Sequence, residues 1–202
     1  MAASHMVRGY GPLDSFLAKQ RYKAARRQIK SAKKNGRILD IGCGSYPLFL
    51  LNADFTEKYG LDKVVETTTE ERAKQQGIIL IGHDIENEEK LPFGDNFFDV
   101  VSMLAVFEHI EPRKLVKIHK EIYRILKPSG MYIMTTPAFW TDRLLRFFAK
   151  LSLISDIEIR EHKDSYNHSM ISSILQEALF QKNKLRFGYF ELFMNIWVTA
   201  AK

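Results

Sequence analysis

One cysteine, Cys43, stands among the 202 residues, and there is no second to pair with it. A disulfide framework is thereby excluded, packing must hold the fold together, and a lone thiol suits a reducing compartment, the cytoplasm. Long apolar runs are also missing. No stretch approaches the roughly 18 uninterrupted apolar residues of a membrane-spanning helix, so a soluble protein is expected. The start lacks the basic, apolar, small-residue order of a signal peptide. Its first six residues, "MAASHM", read as an expression scar outside the fold. No internal repeat, low-complexity tract or linker-like stretch divides the chain. Acid is absent in one region above all: residues 1 to 37 hold ten Lys/Arg against Asp14 alone, a balance of +9 where the remainder carries −3.

What is present points to one core. At 46% hydrophobic and 27% charged, the chain is long enough for a single well-buried domain and short for two. Within the basic region Leu13, Phe16, Leu17, Ala24, Ala25, Ile29 and Ala32 make a ragged helical stripe. Residues 7–36 are therefore read as an N-terminal helical region, with the helix at 13–34, ahead of a main domain at 37–202. The basic helix is either a solvated face or a seat for RNA or an anionic membrane surface.

From Arg37 onward, strand-like runs at 38–41, 58–61, 78–81, 98–106 and 131–135 alternate with helical patterns. The clearest helix spans 112–126, where Leu115, Ile118, Ile122 and Ile125 keep one face and Pro112 suits a first turn. Such alternation means parallel strands joined by right-handed crossovers, with helices on both faces of the sheet. The ending differs: after a helix at about 170–180, "KLRFGYFELFMNIWVTAAK" holds two strand-like runs with a short connection, which forces an antiparallel pair. An α/β fold with a mostly parallel seven-stranded sheet and an antiparallel last strand is the expectation.

In open sheets of this type the ligand sits beyond the carboxyl ends of the strands. Asp40, Asp62 and Asp84 end the first three strands, 22 residues apart each time. Three converging carboxylates disfavour a dinucleotide pyrophosphate, by roughly 1 to 4 kcal/mol per close pair at surface-like dielectric. The glycines agree: a G-x-G-x-x-G fingerprint starting at Gly42 and Gly44 would put its third glycine at Pro47. A nicotinamide-dependent oxidoreductase is accordingly disfavoured, and a nucleoside ligand of net positive charge fits better.

Taken in order, "LDIGCG", the acid of "GLD", "HDI", "LPFGDNFFDVV", "FEHI" and "EIYRILKPSG" closely resemble the successive motifs of class I, seven-stranded S-adenosylmethionine-dependent methyltransferases, in the group that includes quinone-biosynthesis enzymes. The resemblance runs from Arg37 to about Pro137. It implies a Rossmann-like sheet, S-adenosylmethionine as methyl donor and S-adenosylhomocysteine as product. It gives Gly42, Cys43 and Gly44 to the loop beside the methionine part and places Asp40 beneath that loop as its organiser. Asp62 would accept the ribose hydroxyls and Asp84 the adenine amino group. The Ile85 amide would meet a ring nitrogen, Leu91 to Phe93 would cover the ring, and Leu104, in the fourth strand-like run, joins the cofactor set. Tyr46 stands where a third glycine is frequent, and Ser129 replaces one of a common glycine pair.

The acceptor side is less legible. Methyl transfer from a sulfonium is an in-line displacement that depends first on alignment. His109, His162 and Tyr166 are the candidate proton-transfer residues, the last two lying in the polar cluster "REHKDSYNH" with His168. Glu161, His162, Asp164 and His168 match no strong ligand spacing, so no metal is expected. Cys43 reads as a small residue in a tight turn, because no activating base stands nearby. Asp99 reads as structural, at the far end of the fourth strand. The aromatic-rich segment "PAFWTDRLLRFFAKLSLIS" is either a helix packed on the sheet or a lid for an apolar acceptor. The expected activity is methyl transfer to a small-molecule or lipid-linked acceptor, on oxygen. A non-catalytic scaffold of the same fold, seated on RNA or an anionic membrane, is the alternative.

Overall fold

The computed structural model describes residues 14–29, 35–141 and 163–202. A helix, α1 (Asp14–Gln28), precedes the sheet. It is shorter at its carboxyl end than the expected span; residues 30–34 lie outside the described part. Then follow β1 (Arg37–Ile41), α2 (Leu48–Leu51), β2 (Glu57–Asp62), α3 (Thr67–Gln75), β3 (Ile78–Gly82), β4 (Phe98–Leu104), α4 (Pro112–Ile125) and β5 (Leu126–Pro137). After residue 162 come α5 (His168–Glu177), β6 (Leu185–Phe190) and β7 (Asn195–Ala201).

The seven strands form one sheet in the order β3-β2-β1-β4-β5-β7-β6. All neighbours from β3 to β5 are parallel, and β7 runs antiparallel to both β5 and β6. The final hairpin is therefore folded back so that its second strand, not its first, lies against β5. Strand order reverses between β1 and β4, which leaves a crevice at their carboxyl ends.

Helices cover both faces. Ala25 of α1, Phe49 and Leu50 of α2 and Ala73 of α3 pack over Ile38, Val100 and Ile133 on one side. On the other, Leu115, Ile118, Ile122 and Ile125 of α4 join Ile171 and Leu175 of α5 over Leu39, Val101 and Met134. The predicted α4 stripe is the buried one, with a fifth buried member, His119.

Strands β4 and β5 depart furthest from their expected bounds. β4 stops at Leu104 rather than 106 because Ala105 takes a positive φ of 55°. β5 begins at Leu126, which pairs with Phe98, and then bulges, since the next register pairs Val100 with Met131. The intervening "KPSG" interrupts the regular pairing, with Ser129, which replaces one of a common glycine pair, at φ 63°. Asp99 holds the far edge, accepting from the Arg37 amide at 2.9 Å and the Lys127 ammonium at 2.7 Å.

Candidate active site at the carboxyl edge of the sheet

The loop after β1 is shaped by its two glycines. Gly42 has φ 73°, and a Cβ there would fall 2.3 Å from Val106 Cγ2; Gly44 has φ 68° and nothing within 4 Å of a built Cβ. The first position thus needs glycine for close approach, and the second leaves backbone facing open space. The amides of Gly42 and Cys43 both donate to Leu61 O, at 2.7 and 3.3 Å, tying the loop to β2. Cys43 is buried in the turn. Burial, with Asp40 and Asp62 nearby, pushes its thiol well above the usual range, the opposite of an activated nucleophile.

The hydrogen bond that holds the loop is that of Asp62, not of Asp40 as the sequence suggests. Asp62 Oδ2 accepts from the Gly44 amide at 2.8 Å, and Oδ1 lies 3.4 Å from the Val64 amide. Asp40 is 5% exposed and accepts from Ser102 Oγ at 2.6 Å, across the β1–β4 register that pairs the two residues. Desolvation pushes its carboxyl up to about 7, against the Ser102 hydrogen bond and with help from the neighbouring Asp62 charge. The physical reason for the exchange is depth: Asp40 lies inside the sheet layer, while Asp62 reaches the surface where the loop passes.

Asp84 closes the row. Lys63 Nζ stands 2.9 Å from its Oδ2, Asn87 donates to the same oxygen at 2.8 Å, and the Glu86 amide donates to Oδ1 at 3.1 Å. The Lys63 hydrogen bond leads these contacts in bringing its carboxyl down to about 2, so it stays ionised. Ile85 is half-buried beside it, and Leu104 is half-buried at the end of β4. Phe93 does not extend over this edge. It packs into an aromatic cluster with Tyr59, Phe97 and Phe98, at centroid distances of 5.9, 6.1 and 4.7 Å, and Leu91 is buried in the core. The apolar pull of that cluster takes Phe93 away from the expected cover.

Past β4, Phe107–His109 form one turn of 3-10 helix. Glu108 within it is 2% exposed, and its Oε2 has no hydrogen-bond partner. The Lys163 amide donates to Glu108 O at 2.8 Å, and Lys163 Nζ reaches Glu86 at 2.9 Å. These contacts lead the chain to Tyr166, which bridges to Ala138 beyond β5 and meets Phe107 edge-on at 4.7 Å. Burial, with the charges of Asp164 and Glu108, pushes the Tyr166 phenol up to about 12, and its buried hydroxyl is also unpartnered. His109 is half-buried beside Glu108. His162, Glu161 and the bulk of the segment expected to be a helix or lid lie outside the described residues, and the described residues contain no cluster of three or more possible metal ligands. Glu108 is the site residue that sequence reasoning passed over. Its signal was the "FEHI" motif, in which the histidine drew attention.

A glycine loop after β1 at the reversal of strand order, with Asp40 next to last in β1, Asp62 ending β2 and Asp84 two residues past β3, is the setting in which open, doubly wound α/β sheets take a ligand. Residues 39–134 match the family model described as a methyltransferase domain. A demethylmenaquinone methyltransferase of Symbiobacterium thermophilum is 34% identical over 121 residues, 54% of this chain and 46% of that protein. An uncharacterized protein of Methanocaldococcus jannaschii is 32% identical over 146 residues, 68% of this chain and 60% of the relative. The chain thus spans about half the length of the curated relatives it matches. In fold, it is similar to a Thermotoga maritima crystal structure described as an S-adenosylmethionine-dependent methyltransferase, possible histamine N-methyltransferase. The TM-score is 0.68 at 19% identity, covering 93% of this chain and 90% of that one. Residues 39–134 thus match a methyltransferase domain, and the seven-stranded sheet that carries them has the fold of the Thermotoga structure.

Proposed function

We propose that this protein binds adenosylmethionine at the carboxyl edge of its sheet and methylates a hydroxyl oxygen of a small or lipid-linked acceptor. The observation that carries the reading is the row of Asp40, Asp62 and Asp84 around a loop whose Gly44 faces open space. That donor set has acceptors for hydroxyl, amino and ammonium groups and no phosphate cradle, so it fits a nucleoside bearing a sulfonium. When bound, adenosylmethionine supplies a methyl group on positively charged sulfur. Asp62 receives the ribose hydroxyls, Asp84 and the Ile85 amide hold the adenine edge, and the Gly42 to Gly44 backbone with Leu104 borders the methionine part.

On the acceptor side, a phenol with its pKa raised to about 12 stays protonated at neutral pH. Tyr166 therefore donates a hydrogen bond and does not serve as the base. Glu108, buried beside it with Oε2 unpartnered, is the group placed to receive the acceptor's proton. Glu108 would take the acceptor's hydroxyl proton as that oxygen is methylated, the departing neutral thioether needing none. A hydroxyl suits this arrangement better than a protonated amine, whose charge the carboxylate would hold in its non-nucleophilic form.

Calorimetry and transfer of isotopically labelled methyl groups test the two halves separately. Asp62→Ala should weaken adenosylmethionine about ten- to hundredfold, from loss of charge-assisted hydrogen bonds. Unchanged affinity in a folded Asp62→Ala protein refutes the cofactor assignment. Glu108→Gln should lower turnover roughly 10²- to 10⁴-fold with cofactor affinity retained, and formate should restore part of the rate to Glu108→Ala. A normal rate in Glu108→Gln, with the loss found in His109→Ala or His162→Ala, moves the proton to an imidazole.

A further inference from the structure

The turn after β3 and the short span before α5 are joined by one carboxylate, across 77 residues of sequence. The Glu86 amide donates to Asp84 Oδ1 at 3.1 Å, inside the turn whose Asp84 and Ile85 take the adenine edge under the proposed function. Its carboxylate serves two other segments. Oε1 accepts from the Glu111 amide, at the start of α4, at 2.8 Å and from Lys163 Nζ at 2.9 Å, while Oε2 accepts from the same ammonium at 3.1 Å. Lys163 is held a second time through its backbone, since its amide donates to Glu108 O at 2.8 Å. Three residues on, Tyr166 bridges to Ala138 past β5, and Asn167 caps α5, its Oδ1 accepting from the Met170 amide at 3.0 Å. The span 163–167 is thus pinned to Glu86 and Glu108 at one end and to β5 and α5 at the other.

An isolated ion pair at a surface contributes little. This one differs because the Glu86 side chain, 22% exposed, already holds a backbone amide, so the ammonium meets an acceptor that is fixed in place. One residue therefore touches Asp84 with its amide and the span of Tyr166 through its carboxylate. A group that engages Asp84 acts on both. We infer that Glu86 and Lys163 are positioning residues, which tie the adenine edge of the site to the span that carries Tyr166, so that a bound cofactor orders the acceptor side. The inference rests on the adenosylmethionine reading, and the two residues act through Asp84 and Tyr166 rather than on the reacting atoms.

Amide hydrogen exchange, read residue by residue in the full chain by NMR, tests this with S-adenosylhomocysteine as the probe and calorimetry on the same samples. In the parent, the probe should slow exchange at the amides of 163–167 at least about fivefold. Lys163→Met keeps the stem, removes the ammonium and should abolish that slowing, while the slowing at Ile85 persists. Adding Glu86→Gln to Lys163→Met should change nothing further at 163–167, because the two side chains act as a unit. Lys163→Arg keeps the cation and should retain the effect. A tie of purely structural importance would speed exchange in Lys163→Met equally with and without the probe, and that result overturns the inference. So does slowing at 163–167 that survives in Lys163→Met. Binding heat in the parent without slowing at 163–167 overturns the inference alone, whereas absence of binding heat refutes the cofactor assignment and the inference with it. If Lys163→Met loses its native circular dichroism, Glu86→Gln decides, its side-chain oxygen still able to accept from the Glu111 amide, and undiminished slowing there is a refutation.

Discussion

Asp40 shows how one buried carboxyl couples fold to ligand. Its folded pKa is about 7 against an ordinary 3.8, so the native state keeps the proton that the unfolded chain releases. That contribution to stability is fully present below about pH 4 and is lost as pH rises through about 7, a change on the order of 4 kcal/mol. Asp40→Asn should therefore be the more stable protein at pH 8, by about 2 to 4 kcal/mol, with the two converging near pH 4 in urea unfolding. Under the proposed function, a sulfonium arriving in the crevice favours the ionised carboxyl. Adenosylmethionine affinity should then rise with pH through neutrality in the parent and flatten in Asp40→Asn. A parallel pH dependence in both proteins, read by calorimetry, would separate Asp40 from cofactor binding.

At the scale of elements, α4 and β5 each hold a residue whose sequence signal misleads. His119 lies on the buried face of α4, its Nδ1 2.7 Å from Leu115 O and its Nε2 2.9 Å from the Tyr132 hydroxyl. A carbonyl only accepts, so Nδ1 carries the proton and Tyr132 donates to Nε2. Burial lowers its pKa to about 4, so the helix packs around a neutral ring. The unfolded chain binds the proton first, and stability present above about pH 6.5 is lost as pH falls through about 4, by roughly 3 kcal/mol. His119→Leu should flatten that acid limb in urea titrations, whatever its effect at pH 7. In β5, Ser129 occupies a left-handed position that glycine takes without cost. Ser129→Gly should raise stability by up to about 1 kcal/mol, measured as an unchanged denaturant slope with a higher midpoint.

For the whole molecule, Lys202, just past β7, adds a side-chain tie to the pairing of β7 with β5. Lys202 Nζ donates to Tyr123 O and Leu126 O, each at 2.8 Å, and to Asn96 Oδ1 at 2.9 Å, while lying over the Tyr123 ring. It fastens the antiparallel hairpin to the junction of α4 and β5. Lys202→Met keeps the stem but strands two carbonyls at that junction, and a loss of about 1 to 2 kcal/mol is expected in thermal or urea unfolding. An unaltered midpoint would mean that water serves these carbonyls equally well.

Much of this protein is local in origin. The alternation of apolar runs with the α4 stripe determined a parallel sheet covered on both faces, and the brief connection after β6 determined an antiparallel end. Asp40, Asp62 and Asp84 recur at the same spacing, one in or just after each of the first three strands. The sheet and its ending follow from the side-chain periods of helix and strand and from short connections, which a single segment carries by itself. Tertiary structure decided the rest. It put β7 rather than β6 against β5, gave the loop amide to Asp62 while Ser102 held Asp40, and sent Phe93 into an aromatic cluster. It also enclosed Glu108 beside Tyr166 and joined Lys163 to Glu86. Each of these depends on which distant segment removes water from a group or offers it a partner, and that is a property of the assembled sheet rather than of any stretch of sequence.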